Sequence, residues 1–224
     1  MMEALARYKD LCIDAHDSAV VMKFWAPLLS LTPHRQDNGA GDMTGDGPEL
    51  TVWVNQVPEA KTVPNRVHLD VVGALEPYLA AGATVALPHN EAWSWTVLLD
   101  PEGNEFCVFP DRPDEPTALV VSCIDPVQLA AWWGMVLGTE PIPANGGARR
   151  WLGNVDDLPW DVWKFVGVDE PKTVKNRWHW DVKTPDVGDL IGAGATLLRS
   201  PDDSVNWHVL ADPEGNEFCA FPPD

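Results

Sequence analysis

Positive charge is scarce in this chain of 224 residues. Only 15 Lys and Arg stand against 34 Asp and Glu, a formal net charge of -19. Sequence-independent nucleic-acid binding needs cations to displace counterions from phosphates, so it is excluded as a main function. Attachment to an anionic membrane surface is excluded on the same ground. Long hydrophobic runs are missing too, and none approaches the roughly 20 residues that a membrane span requires. The segment Met1 to Asp10 lacks the basic, apolar, small order of a secretory leader, so a cytoplasmic location is expected. Cysteine is limited to Cys12, Cys107, Cys123 and Cys219. None forms a Cys-x-x-Cys pair, which removes a zinc or thioredoxin motif, and all four are expected reduced and buried. Tyrosine is nearly absent, with 2 residues against 12 tryptophans. Trp offers large apolar area with one N–H donor, which suits cores and ligand pockets alike. What is plentiful is apolar surface: 45% hydrophobic residues exclude disorder and suffice for real cores.

The chain repeats itself. Asp100 to Pro110 reads DPEGNEFCVFP and Asp212 to Pro222 reads DPEGNEFCAFP, differing only at Val108 against Ala220. Lys61-Thr62-Val63-Pro64-Asn65-Arg66-Val67-His68-Leu69-Asp70-Val71 matches the stretch from Lys172 to Val182, and Ala81 to Thr84 matches Ala193 to Thr196. Trp95 matches Trp207, and Phe24-Trp25 matches Trp132-Trp133. Near each start Cys12-Ile13-Asp14 is aligned with Cys123-Ile124-Asp125. The same order in both halves indicates a duplication of a unit of about 110 residues. The expected organisation is a first copy over 1–111, a Pro-rich linker over 112–117 and a second copy over 118–224.

Pattern gives the elements of one copy. Leu11 to Ala15 reads as a strand. Ala19 to Leu31 has helical spacing, with Asp17 or Ser18 as N-cap. Gln36 to Gly47 reads as a hairpin or loop. Leu50 to Val57 and Arg66 to Val72 alternate as strands. Leu75 to Ala81 is a short helix stopped by Gly82. Val85 to Leu87, Ser94 to Leu99 and Glu105 to Phe109 are strands, and the Asp-Pro-Glu-Gly-Asn turn joins the last two. Each copy therefore reads as two similar modules.

Two groups of residues carry chemistry. Arg66, His68 and Asp70 share one strand face, as do Arg177, His179 and Asp181. They are read either as a polar stripe lining a cleft, with His as ligand or proton shuttle and Arg as anion clamp, or as a hydrogen-bond set that keeps the fold. Trp53, Trp95, Trp163 and Trp207 are read either as aromatic walls of such a cleft or as core. Glu105 and Glu217 open a strand, as ligands or as rim ion pairs.

Taken together, these motifs resemble the glyoxalase/bleomycin-resistance/extradiol-dioxygenase (vicinal oxygen chelate) superfamily, in its glyoxalase-like branch. The resemblance runs along nearly the whole chain, twice. It implies an α+β protein of tandem domains packed as a pseudo-dimer, with paired βαβββ modules curling a sheet around a cleft. It also implies small-molecule binding there, often with a divalent metal and sometimes with none. Metal-dependent members place a ligand on the first strand, where Asp10 is the nearest candidate and the second copy offers none. They place a His where His68 and His179 stand. They place a Glu where this chain has Cys107 and Cys219, so Glu105 and Glu217 are the nearest carboxylates. The resulting expectation is a small-molecule binding protein without a complete metal site, taking an aromatic or cationic compound. The alternative is a lyase, isomerase or dioxygenase using a divalent metal near His68 or His179. A homodimer of the whole chain is compatible with either.

Overall fold

The computed structural model describes residues 4–47, 50–110, 112–144 and 147–223. Asp111, the expected last residue of the first copy, lies outside them, as do Met1 to Glu3 of the N-terminal segment. Four βαβββ modules follow one another. The first is β1 (Arg7–Ala15), α1 (Ser18–Leu28), β2 (Thr32–Arg35), β3 (Gly41–Thr44) and β4 (Thr51–Gln56). The second is β5 (Val67–Val72), α2 (Glu76–Ala81), β6 (Thr84–Leu87), β7 (Thr96–Leu99) and β8 (Glu105–Phe109). The third is β9 (Ala118–Cys123), α3 (Pro126–Leu137), β10 (Ile142–Pro143), β11 (Arg150–Gly153) and β12 (Val162–Gly167). The fourth is β13 (Trp178–Lys183), α4 (Val187–Gly192), β14 (Thr196–Arg199), β15 (His208–Ala211) and β16 (Glu217–Phe221). No helix among the described residues is long and apolar enough to cross a membrane.

The modules form two eight-stranded sheets, and they pair across the duplication. Sheet A runs β14-β15-β16-β13-β1-β4-β3-β2, joining the first module to the fourth. Sheet B runs β10-β11-β12-β9-β5-β8-β7-β6, joining the third to the second. The seams are antiparallel: β1 on β13, with Cys12 opposite His179, and β5 on β9, with His68 opposite Val120.

Strand alternation sorts the side chains. Leu11, Ile13, Trp178, Trp180 and Phe218 of sheet A are buried in one core with Leu69, Leu119, Phe106 and Trp163 of sheet B. The two long helices supply its centre. Trp25 of α1 packs edge-on against Phe106 of sheet B and Trp178 of sheet A, at 4.9 and 5.4 Å between ring centroids. Trp133 of α3 packs edge-on against Trp180 of sheet A at 5.2 Å and lies tilted on Trp163 of sheet B at 5.1 Å. The opposite, polar-bearing face of each sheet is the candidate cleft.

Both long helices begin at an aspartate. The Asp17 side chain accepts from the backbone N–H of Ala19 and Val20, and Asp125 does so from Val127 and Gln128. Helix α1 stops at Leu28 rather than Leu31: Pro27 lacks an N–H for the ladder, and Ser30 turns to φ 57°. The caps also correct the alignment of the first strands. Asp17 matches Asp125, and the Asp14 and Ser122 N–H groups bond the equivalent carbonyls of Arg177 and Arg66. Cys12 therefore corresponds to Val120, not to Cys123. The matching tripeptides Cys-Ile-Asp are three residues out of structural register.

Candidate functional site

The two strongest repeats turn out to be one structural unit in each half. In the Asp-Pro-Glu-Gly-Asn turn, Asp100 Oδ1 accepts from the N–H of Glu102 and Asn104, both at 2.9 Å. Its Oδ2 accepts from the Asn104 amide at 2.9 Å and from the Trp25 indole at 3.1 Å. Asp212 holds Glu214, Asn216 and Trp133 in the same way. Gly103 and Gly215 supply the positive φ of 81° and 83° that the turn needs. Glu105 then reaches back to the Lys-Thr-Val-x-Asn-Arg block: its carboxylate bonds Lys61 at 2.8 Å and the Asn65 N–H at 2.9 Å. Glu217 bonds Lys172 at 2.6 Å and the Asn176 N–H at 3.1 Å. Both glutamates therefore staple loops and are not brought to a histidine. Arg66 and Arg177 join neither histidine trio but both line the cavity between loops 57–66 and 168–177. Arg66 donates to the carbonyl of Glu170, and Arg177 to that of Glu59 and to the Glu102 carboxylate.

Cleft A, on sheet A, gathers Asp10 and Cys12 from β1, Trp53 from β4, His179 and Asp181 from β13, and Cys219 from β16. A β-bulge between Tyr8 and Asp10 inserts Lys9 into the strand. Tyr8 thus keeps to the core while Lys9 and Asp10 both serve the cleft: Lys9 pairs with Asp10 and lies 4.6 Å from the Phe221 ring centroid. Trp53 donates its indole N–H to Asp10 at 3.0 Å. One ligand atom from each of Cys12, His179 and Asp181 lies within 4.8 Å of the others. His179 is 7% exposed and Asp181 3%. His179 Nδ1 and Asp181 Oδ1 have no hydrogen-bond partner among the described residues. Burial is the main cause of the shifts at His179, Asp181, Cys12 and Cys219. It pushes His179 down to about 4. It pushes Asp181 up to about 7, against the pull of the Lys9 charge. Burial and the neighbouring Asp181 raise Cys12 and Cys219 well above the ordinary thiol range, so both stay protonated.

Cleft B, on sheet B, has the same plan with different contents. His68, Asp70 and Cys107 form its trio. His68 Nε2 is 3.5 Å from Asp70 and 3.7 Å from the Cys107 sulfur. Lys164 of β12 stands where Trp53 stands in cleft A, the two facing Val120 and Cys12 respectively. Its ammonium bonds Asp70 at 3.0 Å and the linker residue Glu115 at 3.1 Å. Burial works to raise the Asp70 carboxyl, but the hydrogen bonds and charges of His68 and Lys164 outweigh it and hold it low. Trp95 lies against Phe109 at 5.8 Å, and Trp207 stacks on the equivalent Phe221 at 5.2 Å.

Of the tryptophans read as walls, Trp53, Trp95 and Trp207 reach the cleft faces. Trp163 does not: it is fully buried on the core side, packed on Trp133, Phe165 and Trp180. Lys164, Glu115, Lys9 and Cys12 escaped the sequence reading as site residues. A signal for Lys164 was available, because it is a lone cation in an apolar and aromatic strand, and a half-buried strand cation needs a partner.

A cavity of about 1100 Å³ lies over neither trio. It opens between loops 57–66 and 168–177, where the clefts end at Asp14 and Ser122. Asp14 is on the same strand face as Cys12, two residues along β1, and pairs with Lys175 at the cavity wall. The cavity is thus continuous with the end of cleft A.

No curated protein matches the sequence. The fold is shared with glyoxalase I from Zea mays, at 13% identity and a TM-score of 0.69 over 96% of this chain and 92% of that one. A putative dioxygenase from Bacillus subtilis matches at 12% identity and 0.64, over 98% and 86%. The cppA protein from Streptococcus pneumoniae matches at 9% and 0.52, over 99% of each chain. At these identities the likeness is one of fold. The profile of the glyoxalase-like domain matches residues 10–109 and again 118–221, and the chain belongs to that family.

Proposed function

We propose that the protein binds a small aromatic or cationic molecule at cleft A, as a cytoplasmic intramolecular pseudo-dimer. One observation carries the reading. Asp181 is a buried carboxyl whose Oδ1 meets no N–H or O–H donor among the described residues, with only the weak thiol donors of Cys12 and Cys219 beside it, on the same strand face as Trp53 and Phe221. An unmet buried acceptor is costly, and a cationic or N–H group of a ligand satisfies it. The adjoining cavity is of the size that small ligands occupy. The strongly acidic chain also speeds encounter with cations. The test is quenching of Trp fluorescence by cationic aromatic compounds, with neutral and anionic isosteres beside them. Asp181→Asn is expected to weaken cation binding about tenfold, the worth of one charge-assisted contact, and to leave neutral aromatics unaffected. Quenching by none of the panel, or equal loss for charged and neutral compounds, refutes the reading.

The trio in cleft A favours a second reading, a metal-dependent lyase, isomerase or dioxygenase. Cys12, His179 and Asp181 would hold the ion, and a sulfur, nitrogen and oxygen set suits a zinc-type ion better than magnesium. Such an ion polarises adjacent substrate oxygens. Cys12 must lose its proton to take part, so affinity falls as the pH is lowered. Elemental analysis is expected to find metal in the purified protein, lost in His179→Ala and kept in His68→Ala. Equal metal content in the two variants removes this reading.

A further inference from the structure

Cleft B already holds a cation, and the cation belongs to the chain. Lys164 is 5% exposed. Its ammonium touches two carboxylates, Asp70 at 3.0 Å and Glu115 at 3.1 Å, and lies 5.3 Å from the ring centroids of both Phe109 and Trp151. Two charge-assisted acceptors with two aromatic faces make the environment that selects an ammonium group. Glu115 comes from the linker between the copies, so the linker supplies the outer wall. Arg112 fixes it there, bonding Glu115 and the Ser94 hydroxyl, both at 3.3 Å. The equivalent place in cleft A has an indole, Trp53, which donates to Asp10 of β1 rather than to a linker residue.

We infer that the polar face of sheet B is a cage for a primary alkylammonium ion, with Lys164 as its tethered occupant. Asp70, the carboxylate of the His68–Asp70–Cys107 trio, is committed to that lysine. Cleft B is therefore closed to a diffusible cation or metal, whereas in cleft A Lys9 pairs with Asp10 and leaves Asp181 to the thiols of Cys12 and Cys219. Each cleft draws on both copies, and cleft B is sealed from within. This concerns cleft B and does not rest on the reading of cleft A, so failure of ligand or metal binding there leaves it standing.

Lys164→Ala removes from the cage the atoms of an n-propylammonium ion. Calorimetric titration of the full-length variant with n-propylammonium chloride, at matched ionic strength, is expected to show one site per chain. That site is expected to be at least tenfold tighter than any in the unsubstituted protein, and 1-propanol is expected to give none. Adding Glu115→Gln is expected to weaken the acquired site about tenfold, the loss of one charge-assisted partner. An equal response of variant and parent, or of cation and alcohol, overturns the cage. If Lys164→Ala does not fold unaided, it is refolded with each additive. Recovery by the ammonium ion alone supports the cage, and recovery by neither or by both overturns it.

Discussion

His179 and Asp181 stand two residues apart on one strand face, and burial moves their titrations in opposite senses. His179 is held at about 4 in the fold against 6.5 unfolded. Between those values the unfolded chain binds more protons, so this residue makes stability rise with pH. Asp181 is held at about 7 against 3.8 unfolded. Over that range the folded chain keeps the proton, so this residue makes stability fall as pH rises. The two slopes offset each other in the unsubstituted, chelator-treated protein. His179→Asn is therefore expected to add a decline, relative to the parent, of up to about 1.4 kcal/mol per pH unit from about pH 4 to 6.5. Asp181→Asn is expected to add a rise of similar slope between about pH 4 and 7. Urea denaturation at a series of pH values measures both. Slopes parallel to the parent's would show that the burial argument is mistaken. At this scale the sequence was partly legible. Alternation placed His179 and Asp181 on one face, but Lys164 and Trp53 share no residue type, so no repeat search pairs them. Only the register opposite Val120 and Cys12 does.

At the scale of the element, the turn between the last two strands of each half is a hub. Asp100 and Asp212 are buried, and each collects two backbone N–H groups, an Asn amide and an indole from a long helix. Asp100→Ala leaves several donors unmet, and the expected cost is about 3 kcal/mol, with a similar cost for Asp212→Ala. Gly103→Ala forces a Cβ into a positive φ and should cost about 1 kcal/mol. Midpoints of chemical denaturation test all three, and a loss below about 0.5 kcal/mol at Asp100 would remove the hub. Turn chemistry made this motif legible. Its link to the Lys-Thr-Val-x-Asn-Arg block was not, because Glu105 meets Lys61 and Asn65 only once the intervening 40 residues have folded back.

For the whole molecule, the crossing of modules decides how it unfolds. Each sheet takes one module from each half, and Trp25 and Trp133 bridge both sheets. Calorimetry is accordingly expected to show one cooperative transition. Fragments 1–111 and 112–224, expressed apart, each leave the β1–β13 and β5–β9 seams open. Exposed edges pair with other chains, so each fragment should self-associate alone, and a mixture should form the one-to-one complex. Light scattering reads the outcome, and a folded monomeric fragment would contradict the shared-sheet architecture.

The sequence by itself determined the duplication, two similar modules in each copy, the turn at each last hairpin and the face on which each histidine lies. These follow from local chemistry: alternation, caps, and residues that tolerate unusual φ. It did not determine which modules share a sheet, because intramolecular and crossed pairing bury the same strand faces. Nor did it show that Trp163 faces the core while its neighbour Lys164 faces a cleft. That assignment needs the register of β12 on β9, and register is set by tertiary packing of the two sheets around the helices.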